Sequence, residues 1–303
     1  MKPRIVVVGS VNMDLVARVP RMPLPGETLT GSDFRSIAGG KGANQAVAAA
    51  RLGADVSLIG RIGTDGFGAR LRNLLEKDHI ALPHLYSCDG IATGAAIIMV
   101  DSAGENCIVL TPGANAALTK DDIDQAASSI EQADVLICQL ETPLPTVRRA
   151  MQIAKVHGTR VVLNPAPAQS LPASDLALVD YLIPNETEAG LLTGITVVDL
   201  ASAKAAAARL REQGPKAVLL TLGPKGVLIA DENGARHIPA PQVTAVDTTA
   251  AGDTFIGGFT VALAEGLSLV EAAQFGQRAA AISVTRFGAQ TSIPNRDEVM
   301  QAA

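Results

Sequence analysis

The sequence predicts an α/β fold: a three-layer α/β/α arrangement around a mostly parallel central sheet, with a small β-sheet lid beside it. Three observations lead there. Short apolar, β-branched runs alternate with helix-length segments, which implies a parallel sheet covered on both faces. The 303 residues, 48% hydrophobic and 18% charged, have the composition of a soluble globular protein large enough for one big core or two domains. Residues 91–111 break the alternation and look like a hairpin. We read 1–303 as a single domain whose lid comes from segments 12–35 and 91–111.

Residues 5–8 form a buried strand closed by Gly9. Asn12 and Asp14 follow at i, i+2, so an extended chain points both to one face, as neighbouring sugar hydroxyls would require. A polar turn after a strand is the commoner origin of such a pair. Pro20, Pro23, Pro25 and Gly26 interrupt the chain. Gly39-Gly40-Lys41-Gly42-Ala43-Asn44-Gln45 opens a helix that runs to Leu52 and stops at Gly53. Its glycines admit a ligand closely, and Lys41 and Asn44 could donate to it. This is not a Walker A loop, because Lys41 is followed by Gly42 and position 35 is Arg. Residues 55–59 are a strand. Residues 60–68 form a glycine-spaced loop, with the wrong spacing for GxGxxG, into a helix ending near Lys77.

Residues 93–100 and 107–110 are the two strands of the hairpin. Thr119 starts a helix with a capping-box pattern, running to about Gln132. Strands follow at 135–138, 161–163, 181–183 and 217–222, separated by a helix at 145–157, one running to Thr193 and closed by Gly194, and one at 201–213. At the strand ends lie Glu141, Asn164, Asn185 with Glu188, and the run Thr221 to Gly226. Ligands of such sheets sit beyond the carboxyl ends of the strands.

The run 243–246 reads as a further strand. After it, Asp247-Thr248-Thr249-Ala250-Ala251-Gly252-Asp253-Thr254-Phe255 reads as a small-residue turn and a helix start, continuing through Phe259 and Leu263. Backbone N–H groups at a helix start favour an anion. A carboxylate in the same turn, Asp253, could take a hydroxyl proton during phosphoryl transfer. A junction in which Asp253 only complements the helix dipole is the simpler alternative.

The net charge of −5 argues against nucleic acid or an anionic membrane as partner. Cys88, Cys107 and Cys138 lack CxxC spacing, which fits a reducing compartment and no zinc site, although Cys88 and Cys107 could meet in space. The four histidines form no triad with Ser and Asp. No signal peptide or bilayer-length apolar run is present, so a cytoplasmic protein is expected.

Taken together, Gly39 to Ala46, Asp247 to Asp253, and the NxxE pair Asn185 and Glu188 resemble the signatures of the ribokinase/fructokinase family of carbohydrate kinases. The resemblance covers about residues 4–294. It implies sugar contacts from Asn12, Asp14, Gly40, Lys41, Gly42, Asn44, Glu141 and Asp253. Asp253 would be the base, beside an anion hole of Ala250, Ala251 and Gly252. It implies ATP contacts from Asn185, Thr221, Leu222, Gly223, Pro224, Lys225, Gly226, Gly252 and Gln277, with Glu188 organising Mg²⁺ and its waters. A K⁺ ion would be held near Asp247, Thr249, Ser283, Arg286, Gly288 and Ser292, mostly by backbone oxygens. The implied reaction is ATP-dependent phosphorylation of D-ribose at O5. Two positions depart from the wider pattern: Ala250 replaces a glycine, and Gln277 replaces the usual His or Asn against adenine. A kinase for deoxyribose, another sugar or a nucleoside is the nearest alternative. A non-catalytic sugar-binding regulator is an alternative of another class, and a nucleotide-dependent oxidoreductase is disfavoured. Ala95, Ile97, Met99 and Ile108 would leave the lid uncovered, so a homodimer through the lid is expected.

Overall fold

A computed structural model describes residues 2–302. Its strands are β1 (Arg4–Val8), β2 (Asn12–Arg18), β3 (Asp33–Gly39), β4 (Asp55–Gly63), β5 (Leu85–Cys88), β6 (Gly94–Val100), β7 (Asn106–Thr111), β8 (Val135–Cys138), β9 (Arg160–Leu163), β10 (Tyr181–Leu182), β11 (Ala217–Thr221), β12 (Val227–Asp231) and β13 (Gly234–Ile238). Nine of them form one sheet in the order β13-β12-β11-β10-β9-β8-β1-β4-β5. From β11 to β5 every pairing is parallel, and β12 and β13 add an antiparallel edge.

The helices are α1 (Lys41–Arg51), α2 (Gly66–Lys77), α3 (Lys120–Gln125), α4 (Ala127–Glu131), α5 (Leu144–His157), α6 (Ala173–Leu176), α7 (Glu186–Thr193), α8 (Leu200–Arg211), α9 (Ala251–Ala264), α10 (Leu269–Ser283) and α11 (Arg296–Gln301). They cover both faces of the sheet, and β1 shows why. Ile5 and Val7 enter one core cluster with Val47, Phe259 and Ala279, while Val6 and Val8 enter the other with Met151 and Leu210. Alternation along an extended chain forces that division. Burying each such side chain is worth about 1.5–3 kcal/mol, so a run that is apolar at every position settles in the middle of three layers.

Strand order reverses at β1, with β4 on one side and β8 on the other. Crevices in open α/β sheets form at that point. The four remaining strands make the second sheet, ordered β3-β2-β6-β7, which springs from the end of β1.

Several expectations need correction. Residues 243–246 are not a strand: they form an exposed, irregular segment, and Pro239 and Pro241 just ahead of it remove backbone donors that a ladder needs. The antiparallel β12–β13 hairpin, absent from the sequence reading, takes the sheet edge instead. The expected helix 119–132 keeps its Thr119–Asp122 capping box but breaks at Ala126 into α3 and α4. Ala95, Ile97 and Met99 share a face of β6, but Ile108 pairs with Ile98 and lies on the other face. Exposed apolar side chains therefore occur on both faces, Phe34, Ile97 and Val109 on one, Ile108 and Leu110 on the other. The three cysteines are free, with Cys88 buried and Cys107 exposed.

Candidate active site

The first signature folds as a hinge between strand and helix. Gly40 has φ +88°, and a Cβ there would lie 2.7 Å from the Asn12 nitrogen. Only glycine lets the start of α1 approach the β1–β2 connection so closely. That approach gathers polar groups. Glu141, beyond the end of β8, accepts from Ser10 Oγ at 2.5 Å, from the Lys41 backbone N–H at 3.2 Å and from Asn12 Nδ2 at 3.5 Å. Asn12 Oδ1 in turn accepts from Asn115 Nδ2 at 2.6 Å. Asp14 lies on β2 beside Gly39, on the face the i, i+2 spacing anticipated.

The second signature meets the first. Asp253 is 8% exposed, in the first turn of α9, and its Oδ2 accepts from Asn44 Nδ2 at 2.9 Å. The Asn44 Oδ1 is buried without a hydrogen-bond partner, an acceptor left for a ligand's hydroxyl. Ala250, just ahead of α9, is held left-handed at φ 59° and ψ 14°, and no side chain caps the first turn. The Ala251 N–H donates to the Thr248 carbonyl at 3.2 Å, whereas the N–H groups of Gly252 and Asp253 have no intrahelical acceptor and are open to an anion. A Cβ on Gly252 would meet nothing within 4 Å, so the space in front of it is left by the protein.

That space is a cleft of about 230 Å³, walled by Lys41, Asn164, Asn185, Glu188, Thr221, Thr248 and residues 250–253. Asn185 caps α7 in a closed capping box. Its Oδ1 accepts from the Glu188 N–H at 2.8 Å, and the Glu188 carboxylate accepts from Asn185 N at 2.9 Å and Nδ2 at 3.0 Å. Leu222 to Gly226 continue from Thr221 as a short 3₁₀ turn outside the cleft wall, with Gly223, Pro224 and Lys225 exposed. Gln277 is buried, but its Nε2 donates to the Ile238 carbonyl at 3.1 Å and it does not line the cleft.

Charge is concentrated between the two halves. Burial, then Glu141 and Asp253, push the Asp14 carboxyl up to about 7 against the pull of Lys41. Burial disfavours the Lys41 ammonium, but Asp253, Glu141, Glu188 and Asp14 together outweigh it and raise its pKa. Burial is also the main reason that Glu188 is raised. Lys41 thus sits among four carboxylates, within reach of both the polar cluster and the cleft.

The residues assigned to a monovalent ion come together only in part. Asp247 Oδ1 accepts from Thr249 N and Oγ1, and Oδ2 accepts from Gly288 N at 2.9 Å. Burial raises the Asp247 carboxyl, but these hydrogen bonds prevail and lower it. The side chains of Ser283 and Ser292 donate to the Ala280 and Ala289 carbonyls, and Arg286 pairs with Glu298. Arg286 is engaged elsewhere, whereas each serine hydroxyl spends only its proton and keeps its lone pairs, so those oxygens and the backbone oxygens are the available ligands. Among the described residues no three His, Cys, Asp or Glu side chains group to hold a metal.

The profile of the pfkB family of carbohydrate kinases matches residues 2–296. The chain belongs to that family. A ribokinase of Haemophilus influenzae is 50% identical over 301 residues, covering 99% of this chain and 98% of its own. A deoxyribokinase of Salmonella typhi is 38% identical over 295 residues, covering 97% and 96%. The solved structure of an Arabidopsis thaliana ribokinase complexed with ribose and ATP superposes with a TM-score of 0.93 at 33% identity, covering 100% of this chain and 99% of that one. Family membership accounts for the lid sheet, the α9 start and the NxxE cap appearing in one carbohydrate-kinase fold.

Sequence reading missed Ser10, Gln45 and Gln139 as members of this polar network. Gln45 carried the one available signal, a long polar side chain ahead of an alanine-rich run in a helix.

Proposed function

We propose that this chain transfers the γ-phosphoryl group of ATP to the 5-hydroxyl of D-ribose. The observation that carries the reading is Asp253 itself. It is a buried carboxylate in the same helical turn as the open N–H groups beside Gly252, and it accepts from Asn44 on α1, the helix whose first residue, Lys41, donates its backbone N–H to Glu141 of the polar cluster. The 50% identity to a ribokinase supports ribose as the sugar. In this reading Asp14, Asn44 and Glu141 hold sugar hydroxyls, and Lys41 spans sugar and phosphate. As the O5–P bond forms and the bond from Pγ to the ADP oxygen breaks, Asp253 takes the O5 proton. The first-turn N–H groups of α9 stabilise the charge that develops on the phosphoryl oxygens. Products are ribose 5-phosphate and ADP.

Asn185, Thr221 and the turn to Gly226 flank the nucleotide. Gln277, turned to Ile238, acts as packing beneath it. The Glu188 carboxylate, raised by burial and bonded only to neutral N–H groups of Asn185, suits Mg²⁺ held through its waters. Mg²⁺ would neutralise phosphate charge. K⁺ would rest on backbone oxygens around Asp247 and Gly288 and steady the loop ahead of α9. The small sheet would act as a lid and pair with a second copy. No described helix is long and apolar enough to cross a membrane, and we place the reaction in the cytoplasm.

ADP release across pentoses, hexoses and nucleosides tests the assignment. A missing hydroxyl leaves buried polar groups unpaired at about 1–3 kcal/mol, so ribose should exceed deoxyribose in kcat/KM by roughly tenfold or more. Equal efficiency would favour the deoxyribokinase-like alternative.

A further inference from the structure

Asn44 holds one oxygen of Asp253, and a chain of buried amides holds the other. Gln45 Nε2 donates to Asp253 Oδ1 at 2.8 Å and to Asn164 Oδ1 at 3.2 Å. Asn164 Nδ2 donates to the Ile183 carbonyl at 3.0 Å. Gln139 Nε2 donates to Gln45 Oε1 at 2.6 Å. Gln45 and Gln139 are both fully buried.

The direction of every bond in this chain follows from its anchor. A backbone carbonyl can only accept, so Ile183 fixes the Asn164 nitrogen toward itself and the Asn164 oxygen toward Gln45. The Gln45 nitrogen must then face Asn164, and its second hydrogen falls on Asp253 Oδ1. Gln139 closes the remaining side by donating to the Gln45 oxygen. An ionised carboxylate has about four acceptor positions, so two N–H donors fix its plane and leave capacity for a hydroxyl proton.

Stability alone does not explain these residues. Gln139 Oε1 is buried with no hydrogen-bond partner, so the chain leaves an unsatisfied polar atom beneath the sheet end. An apolar pair of similar volume would avoid that cost.

We propose that Gln45 is the positioning residue for the base, with Asn164 and Gln139 setting which way its amide points. The proposal rests on Asp253 being the base. Asn44 cannot do the job alone, since its amide is also assigned to the sugar. A carboxylate held at one oxygen can swing away from the attacking hydroxyl while sugar and ATP still bind.

The test is steady-state kinetics with ribose and ATP on Gln45→Met, Gln139→Met, Asp253→Asn and the Gln45→Met/Asp253→Asn pair, with melting temperatures alongside. Misplacing a catalytic group by about 1 Å can cost about a hundredfold, so Gln45→Met should lower kcat by roughly ten- to a hundredfold. KM for ribose and for ATP should stay within roughly threefold, because a positioning defect appears in kcat and not in ground-state binding. Gln139→Met, one bond further from Asp253, should lower kcat less and in the same pattern. It also serves if Gln45→Met does not fold. In the Asp253→Asn background, Gln45→Met should add almost nothing, since there is no base left to place. Unchanged kcat in folded Gln45→Met or Gln139→Met, or a full additional loss in the pair, overturns the positioning role while leaving the base intact. Retained activity in Asp253→Asn overturns the base assignment itself and the proposal with it.

Discussion

Replacing Asp14 with asparagine should make the unliganded protein more stable at alkaline pH while removing its hold on sugar. The carboxyl is pushed from 3.8 up to about 7 in the folded protein, first by burial and then by Glu141 and Asp253. The sign follows from proton counting. Between about pH 4 and pH 7 the folded state keeps a proton that the unfolded state has released, so Asp14 lowers stability progressively as pH rises through that window. Below it, both states are protonated and the residue is neutral in effect. Asparagine has the shape without the charge, so its advantage opens above about pH 4 and is complete above about pH 7. At about 1.4 kcal/mol per pKa unit, the advantage should grow by about 2.5 kcal/mol at most between about pH 5 and pH 8. Asp14 keeps some contact with solvent, so roughly 1–2 kcal/mol is the working figure. An unfolding entropy of about 2.1 cal/mol/K per residue makes that a widening of about 2–3 °C in melting temperature. Thermal unfolding of both proteins at the two pH values measures it. An equal gap at both, or a less stable variant at the higher pH, would refute the reasoning. The same charge cluster predicts that wild-type kcat/KM for ribose declines as pH falls below about 7, because the protonated carboxyl loses an acceptor for a sugar hydroxyl.

Gly252→Ala should fold normally, since its Cβ meets open space, and should gain up to about 1 kcal/mol from helix propensity, yet lose most activity as the methyl enters the phosphate space. Melting temperature and ADP release on one preparation separate the two effects, and full activity in this variant would remove the anion site from the start of α9. Activity should rise when potassium replaces sodium at fixed excess magnesium. Asp247→Asn should blunt that rise more than it lowers the rate at saturating potassium, and indifference to the ion would make the loop purely structural. Exposed Phe34, Ile97, Val109, Ile108 and Leu110 predict a dimer at micromolar concentration by sedimentation. A monomer there would contradict pairing through the lid.

What the sequence disclosed depended on whether a signal was local. Residues 5–8, apolar at every position, could only be a strand buried on both faces, and the glycines around Lys41 announced a close backbone approach. The place of Asp253 in the first turn of α9 was legible because small residues and a carboxylate follow one another ahead of an apolar helical run. The β12–β13 hairpin was lost to the stronger β-branched run at 243–246, where prolines ahead and the lack of a neighbouring strand keep the chain irregular. The break at Ala126 follows from tertiary packing, which no capping pattern reports. Gln45 and Gln139 are ordinary residues in sequence. Their meaning appears only when residues 94 apart are brought within 2.6 Å.

Asp253→Asn tests the central claim most directly. The amide keeps the size of the side chain and suits a helix start, so the melting temperature should barely move. It cannot accept the O5 proton, and general-base catalysis contributes roughly 10²–10⁴-fold, so kcat with ribose and ATP should fall by that factor. KM for ATP should change far less, since the proposed phosphate contacts are backbone N–H groups and the Asn185 and Thr221 side of the cleft. A folded variant with near wild-type kcat would show that the base lies elsewhere.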